Sequence, residues 1–171
     1  VIGEKNNSRR NYDLLSKAIN ALNKQHQKKI VLILLSQAKN GDKNPVIQEL
    51  QKKIKSKIIY KKNFIKEIEY KRLTSSCHVL LSLNKEQYGN SHKGTGSFFD
   101  AISSKKRLIV NHCADRKFEF KNFCYYYSNV NQLSKILKLL SNNDKFRPLN
   151  RNLFTKYNNI QAKNKLIKLL C

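Results

Sequence analysis

The run Ile30-Val31-Leu32-Ile33-Leu34-Leu35 is continuously apolar, and it is the stretch of the chain that decides the fold class. A strand with one face in water alternates apolar and polar residues, whereas an unbroken run of Ile, Val and Leu is typical of a strand covered on both faces. Such strands belong to parallel sheets that carry helices on both sides. The run therefore predicts an α/β fold.

Helix signals lie on both sides of this run. Before it, Ser8 occupies the position of a helix N-cap, and the residues after it have the spacing of an apolar helix face: Tyr12, Leu15, Ile19 and Leu22. After the run, Asn44 is expected to cap a helix with Pro45 at its first position, where a backbone N–H has no partner within the helix. The strand is thus flanked by helices.

The same alternation continues along the chain. Further strands are predicted at residues 57–60, 77–83, 107–110 and 123–127, and residues 1–3 have the pattern of the end of another strand. Alternation with right-handed crossovers predicts a doubly wound, mostly parallel sheet of six strands, with its ligand at the carboxyl ends of the strands. Because residues 1–3 resemble only the end of a strand, we expect the chain to be a fragment of a longer protein.

Two regions are predicted. Residues 1–140 form the sheet domain, and residues 141–171 form a linker and a C-terminal helical appendage. The appendage is strongly basic and has one apolar stripe, formed by Leu153, Tyr157, Ile160 and Ile167. A helix of this kind either packs on a protein domain or lies on an anionic membrane surface, and the width of the stripe favours packing.

The chain is strongly basic, with 35 Lys and Arg against 11 Asp and Glu and a formal net charge of +24. This excess attracts polyanions in general. It is spread over nearly every segment, and the chain has no RNA-recognition aromatic motif, no GxxG clamp and no zinc-finger spacing. Specific nucleic-acid binding is therefore not expected. A non-catalytic α/β module that binds a polyanion such as nucleic acid stays open as the alternative function.

The four cysteines form neither a CxxC pair nor a spacing of metal ligands with histidine. Buried or half-buried thiols in a reducing compartment are the simplest interpretation, and no metal site is expected. No apolar run approaches the roughly 18 residues of a membrane-spanning helix, and the amino terminus has no signal pattern. These features predict a soluble protein of the cytoplasm.

A glycine-containing loop, Lys93-Gly94-Thr95-Gly96-Ser97, follows a predicted buried strand and opens a short helix. Glycines there let the backbone approach a phosphate, and free N–H groups at the start of a helix attract negative charge. Glycines before a helix also serve simply as turn formers, so the loop alone does not decide the function. Asp100 is either an ordinary acidic residue in a first helical turn or an acceptor for ribose hydroxyls.

The segment from Gly94 to Val110 resembles the signature segment of group 1 glycosyltransferases of the GT-B fold. Both have a glycine loop, an acidic residue and an alanine on a helix, two small residues, and a basic residue before an apolar strand. The opening from Gly3 to Leu15 is similar to the glycine, basic pair and helix that follow the first strand of the same domain. The resemblance implies that Asp100 holds the ribose of a nucleotide and that Arg10 neutralises its diphosphate. It also places the backbone of the loop against the diphosphate, through Gly94, Thr95, Gly96 and Ser97.

Two positions depart from the family pattern. Glu4 stands where the family commonly has arginine, and Lys5 is the residue that could replace it. His92, or Ser91 in a register one residue earlier, stands where the family has a glutamate that contacts the donor sugar. His92 is therefore either a sugar contact or a solvated loop residue.

The resemblance implies the Rossmann-like, nucleotide-sugar-binding half of a bacterial glycosyltransferase that works in polysaccharide biosynthesis. Such a hexosyltransferase-like enzyme transfers a sugar from a UDP- or GDP-linked donor to a glycan or lipid-linked acceptor, which a separate N-terminal GT-B domain holds. The donor is a substrate, and neither a cofactor nor a metal is expected. The expected localisation is cytoplasmic, and the basic tail leaves open a peripheral contact with the inner face of the plasma membrane.

Overall fold

The structure is a computed structural model that describes residues 10–37, 44–61, 63–85, 96–115 and 120–142. These residues form an α/β fold, as predicted. The helices are α1 (Tyr12–Asn20), α2 (Lys24–Lys29), α3 (Pro45–Lys53), α4 (Glu67–Ser76), α5 (Ser97–Ser103) and α6 (Val130–Ser141), and a 3-10 turn spans His112–Asp115. The strands are β1 (Val31–Gln37), β2 (Lys57–Lys61), β3 (Val79–Leu81), β4 (Arg107–Asn111) and β5 (Cys124–Tyr127).

The strands pair in two parallel sheets. β1 pairs with β2, and β4 lies between β3 and β5. The prediction of one six-stranded sheet is therefore wrong for the described residues. The physical reason is that β1 and β3, the strands that would join the two sheets, are separated by a cavity and are not paired with each other. Residues 1–3, where a further strand was expected, lie outside the described residues.

Helices cover both faces of the strands. The first core lies under α1, α3 and α6, and its buried members include Leu15, Ile19, Leu32, Leu34, Ile47, Leu50, Leu81, Leu83, Ile109, Tyr127 and Leu133. The second core lies on the opposite face under α5, with α4 packed at its edge, and includes Leu35, Leu80, Phe98, Ala101, Leu108, Val110 and Phe123. Consecutive residues of one strand, such as Leu80 and Leu81, enter opposite cores because side chains alternate along a strand. This two-sided burial explains the continuous apolar run of β1.

Asparagine side chains begin most of these helices. Asn11, Asn23, Asn44 and Asn129 accept a hydrogen bond from a backbone N–H in the first turn of α1, α2, α3 and α6, respectively. The prediction for Asn44 and Pro45 is confirmed. The cap of α1 is Asn11 rather than Ser8, so that detail of the sequence analysis was wrong. An Asn cap stabilises a helix as well as Ser does, because its side-chain oxygen reaches the same N–H groups.

No helix in the described parts of the chain is long and apolar enough to cross a membrane. The expectations for the basic tail fall on residues 143–171, which lie outside those parts. Of the cysteines, Cys77 and Cys113 are half-buried and Cys124 is buried, in keeping with the interpretation of small core side chains.

The packing of α6 makes a quantitative prediction. Leu133 is fully buried in the first core, whereas Leu139 on the same helix is 38% exposed. Leu133→Ala should lower the free energy of unfolding by about 2–5 kcal/mol, because it leaves a cavity between α6 and the strands. Leu139→Ala should cost about 0.5 kcal/mol or less. Urea unfolding followed by circular dichroism measures both, and equal losses would contradict the assignment of the buried face.

Candidate functional site

The candidate site lies at the carboxyl end of β3, where the chain continues as Ser82, Leu83 and Asn84, all of them buried. The backbone N–H of Asn11 donates to the carbonyl oxygen of Leu83 at 2.8 Å. Arg10 forms an isolated antiparallel bridge with Asn84. The start of α1 is thus anchored to the end of β3, and Arg10 is held at the edge where ligands of parallel α/β sheets bind.

The guanidinium group of Arg10 sits in a poorly solvated position. Its Nε and Nη1 atoms are buried, although the residue as a whole is half-buried. Burial raises the pKa of Tyr12 to about 12, and the charge of Arg10 acts in the opposite direction. The same two causes act on Tyr127, whose pKa is also raised by burial and lowered in part by Arg10. Because a charge is screened less inside a protein than in water, Arg10 projects a strong local positive potential at this edge.

Helix α5 begins at the same strand end. The hydroxyl of Ser97, the first residue of α5, donates to the hydroxyl of Ser82 at 3.2 Å, and both side chains are buried. Ser82 is only two positions before Asn84, the residue that pairs with Arg10. The structure therefore brings together two sequence motifs, the basic segment before α1 and the end of the glycine loop.

Gly96 precedes α5 in an ordinary right-handed conformation, with φ −52° and ψ −12°. A Cβ atom added to Gly96 would meet no atom of the described residues within 4 Å. Neither backbone strain nor packing against the described residues therefore accounts for this glycine. On the side of those residues, the backbone at Gly96 is open to a ligand.

Asp100 lies one turn into α5 and is half-buried. The hydroxyl of Tyr70, on α4, donates to Oδ2 of Asp100 at 2.8 Å. Burial raises the pKa of the Asp100 carboxyl above its ordinary value, and the hydrogen bond from Tyr70 lowers it in part. Tyr70 thus orients one oxygen of the carboxylate. The sequence analysis missed Tyr70, because nothing in the pattern of α4 indicates a contact with a residue of α5.

A second polar group lies where the chain leaves β4 and β5. Nδ1 of His112, directly after β4, is 3.0 Å from the hydroxyl of Ser128, directly after β5. The sulfur of Cys113 is 3.6 Å from Nε2 of the same ring. The described residues contain no group of three or more His, Cys, Asp or Glu that could hold a metal ion. The sequence analysis expected no metal site and did not foresee the contact between His112 and Ser128.

Four residues of the site expected from the sequence lie outside the described residues: Lys5, His92, Gly94 and Thr95. The described ones are Arg10, Gly96, Ser97 and Asp100. Of these, Arg10 and Ser97 contact the same strand end, and Asp100 follows on the helix that Ser97 begins. The roles of all eight residues stay predictions.

A scan against models of protein families, a search of curated proteins and a search of solved structures each found no match to this chain. The function is therefore argued from the chemistry of the site.

The contact between Tyr70 and Asp100 makes a prediction about pH. Tyr70→Phe removes the hydrogen bond that favours the ionised carboxyl, so the pKa of Asp100 should rise further. A carboxyl whose pKa is raised in the folded state contributes stability at low pH, and this contribution is lost as the pH rises through that pKa. Because Tyr70→Phe raises the pKa of Asp100 further, the variant should lose more folding stability than the parent chain over this pH range. A carboxyl-carbon NMR titration measures the pKa. Tyr126→Phe, which removes a hydroxyl bonded to Asp115 instead, is the matched control and should leave Asp100 unchanged.

Proposed function

We propose that this chain is the Rossmann-like donor-binding domain of a GT-B glycosyltransferase and that it binds the nucleoside diphosphate of a UDP- or GDP-linked sugar at the carboxyl end of β3. The observation that carries the proposal is that Arg10 and the start of α5 both contact this strand end, through Asn84 and Ser82. A cation, accessible backbone and a carboxylate one helical turn away are the groups that a diphosphate joined to a ribose requires.

The diphosphate part of the ligand is assigned to Arg10 and to the backbone of Gly96 and Ser97. A half-buried guanidinium can donate two parallel hydrogen bonds to phosphate oxygens. The open space beside Gly96 lets phosphate oxygens approach the N–H groups that begin α5. Lys5, Gly94 and Thr95 are proposed to complete this part of the site, and His92 is proposed to contact the donor sugar.

The ribose is assigned to Asp100. A carboxylate can accept hydrogen bonds from both hydroxyls of a vicinal diol, and such charge-assisted bonds are stronger than neutral ones. The bond from Tyr70 to Oδ2 fixes the plane of the carboxylate. Burial removes water from the Asp100 carboxyl, and this desolvation raises its pKa. The hydroxyls of a ribose diol would donate hydrogen bonds in place of the lost water and so offset the free-energy cost of desolvation.

In sugar transfer the nucleoside diphosphate is the leaving group, so the protein must stabilise the negative charge that develops on it. Positioned cations and N–H groups do this at the proposed site without a cofactor. The acceptor, a glycan or a lipid-linked sugar, is assigned to a separate N-terminal GT-B domain. The proposed setting is bacterial polysaccharide biosynthesis in the cytoplasm.

The formal charge of +24 favours a second candidate, a non-catalytic module that binds polyanions such as nucleic acid. In that case the charge itself is the binding determinant and the loop before α5 is incidental. The two candidates differ in salt dependence, because binding by many exposed lysines weakens steeply as salt rises. A nucleotide held by a few partly buried groups should lose much less affinity.

The proposal predicts that UDP or GDP binds more tightly than the matching nucleoside, because the diphosphate contacts Arg10. Arg10→Ala should weaken diphosphate binding by about 1.5–3 kcal/mol, the scale of a hydrogen bond to a charged group. Arg72→Ala, which removes one positive charge from an exposed position of α4, is the matched control. Isothermal titration calorimetry at low and moderate salt measures all three proteins. Equal losses in both variants would favour the polyanion-binding alternative.

A separate prediction concerns the ribose. Asp100→Asn should weaken the binding of ribonucleotides and leave the binding of 2′-deoxyribonucleotides nearly unchanged, because the carboxylate accepts from the ribose diol. The variant should be at least as stable as the parent chain at neutral pH, since it removes a desolvated charge and keeps an oxygen that can accept from Tyr70. Titration calorimetry and thermal melting provide the two measurements. The same loss for both kinds of nucleotide would make Asp100 a structural residue.

A further inference from the structure

Lysines and arginines cluster where the chain enters its strands. The segments that lead into β1 to β5 contain no Asp or Glu, and they are residues 28–30, 54–57, 76–78, 104–107 and 121–123. Because the strands of each sheet are parallel, these segments lie at the amino ends of the sheets, away from the carboxyl end of β3. We call the cations of these segments the basic edge, which consists of Lys28, Lys29, Lys55, Lys57, Lys105, Lys106, Arg107 and Lys121.

Contacts between these segments join the cations into one surface. The hydroxyl of Ser56 donates to the carbonyl oxygen of Gln27 at 2.9 Å, which brings the segments before β1 and β2 together. Arg107 donates to the carbonyl oxygen of Asn122 at 3.4 Å, which does the same for the segments before β4 and β5. Val79, at the start of β3, is the pairing partner of Arg107. The segments before β1 and β3 line one cavity, so the basic edge continues from one sheet to the other.

Most of the basic edge is exposed and lacks a counter-charge. Lys106 and Arg107 are half-buried, and the other members are exposed. Within the described parts of the chain, none of the lysines of this edge forms an ion pair. Several acidic residues lie instead in first helical turns: Asp13, Glu67, Glu69 and Asp100. The amino ends of the sheets therefore carry a local positive potential that nearby described carboxylates do not neutralise.

Helix dipoles account for only part of this edge. The carbonyl end of a helix attracts cations within about one turn, which fits Lys28 and Lys29 at the end of α2. Lys57 instead opens β2, and Lys121 lies in the turn before β5. The cations at these two positions need a different explanation.

The backbone at Lys105 points to a role for the charge itself. Lys105 follows α5 with φ 54°, in the left-handed region that favours glycine. The N–H of Lys106 donates to the carbonyl oxygen of Ala101 at 2.9 Å, a bond typical of helix ends with glycine at this position. Glycine would adopt this conformation without strain. Lysine therefore costs the fold some stability here while it adds a charge to the basic edge.

An anionic membrane surface fits this edge better than nucleic acid does. Lysines attract anionic headgroups without a specific geometry, and here they are spread over the beginnings of neighbouring strands. Nucleic-acid sites favour arginine forks and aromatic rings that stack on bases. The arginine of the edge, Arg107, lies 5.3 Å from the ring centre of Tyr125 and donates to Asn122. The aromatic residue of these segments, Phe123, is buried and cannot stack on a base.

We propose that the basic edge is a docking surface for a membrane that contains anionic lipids. Its exposed lysines would lie against the headgroups, and the carboxyl end of β3 would face the aqueous phase. Membrane contact and the candidate site therefore do not compete for the same surface. This inference does not rest on the proposed function, because it uses only the placement of the charges in the fold.

The first test removes two charges from the basic edge and measures binding of the full chain to vesicles that contain phosphatidylserine. Lys105→Gly/Lys121→Gln should lower the partition coefficient by roughly tenfold or more, because each lysine near the surface adds to the attraction. Lys61→Gln/Lys66→Gln removes the same charge beyond the carboxyl end of β2 and should lower it by no more than about threefold, since distant charges are screened. Vesicle sedimentation measures both, and equal losses would overturn the proposal.

The same two double variants separate a membrane from nucleic acid as the partner. Fluorescence anisotropy with a short DNA duplex should show similar affinities for both, because the proposed edge is specific to the membrane. If Lys105→Gly/Lys121→Gln weakens binding to the duplex and leaves binding to the vesicles unchanged, the partner is a nucleic acid and the proposal is wrong.

The second test determines which surface of the chain meets the membrane. The chain has no tryptophan, so a single introduced tryptophan reports its own position. Asn122→Trp, at the basic edge, should shift its emission to shorter wavelength when anionic vesicles are added. Phe64→Trp is the control, because Phe64 follows β2 at its carboxyl end and is 76% exposed. A shift at Phe64→Trp alone, or at neither position, would show that another surface makes the contact and would contradict the proposal.

Discussion

The buried end of β3 is the point on which the sheet, the first helix and the candidate site depend. The N–H of Ser82 donates to the carbonyl of Ile109 at 2.9 Å, and the hydroxyl of Tyr127 donates to the carbonyl of Ser82 at 3.0 Å. The next carbonyl, that of Leu83, accepts a hydrogen bond from the backbone N–H of Asn11. These bonds tie β4, β5 and α1 to two consecutive residues. Since buried backbone groups must be paired, the end of β3 has little freedom to move.

The rigidity of this strand end matters for the groups around it. Arg10 and Ser97 come from distant parts of the chain, and each is held by a residue of the same short segment, Asn84 and Ser82. The diphosphate site proposed above would gain from such fixed positions, because the groups need not be ordered when the ligand binds. The contact between Tyr70 and Asp100 extends the same principle to α4.

The acidic residues in the described parts of the chain fall into two kinds with different roles. On the helix surfaces Asp13, Glu49 and Glu67 pair with lysines four positions later, and these exposed ion pairs contribute little to stability. Asp100 and Asp115 instead accept hydrogen bonds from tyrosine hydroxyls in partly buried places. The formal net charge of +24 raises the general potential of the molecule, whereas Arg10 supplies a local one.

The sequence by itself determined the fold class and most of the order of helices and strands, because apolar periodicity records which faces of each element are buried. It also indicated Arg10, Ser97 and Asp100 as candidates. Only the tertiary structure decided that the described strands form two sheets, that Arg10 and Ser97 both contact the end of β3 and that Tyr70 donates to Asp100. Local patterns carry no information on these points, because they depend on which strands become neighbours and on contacts between residues far apart in the chain.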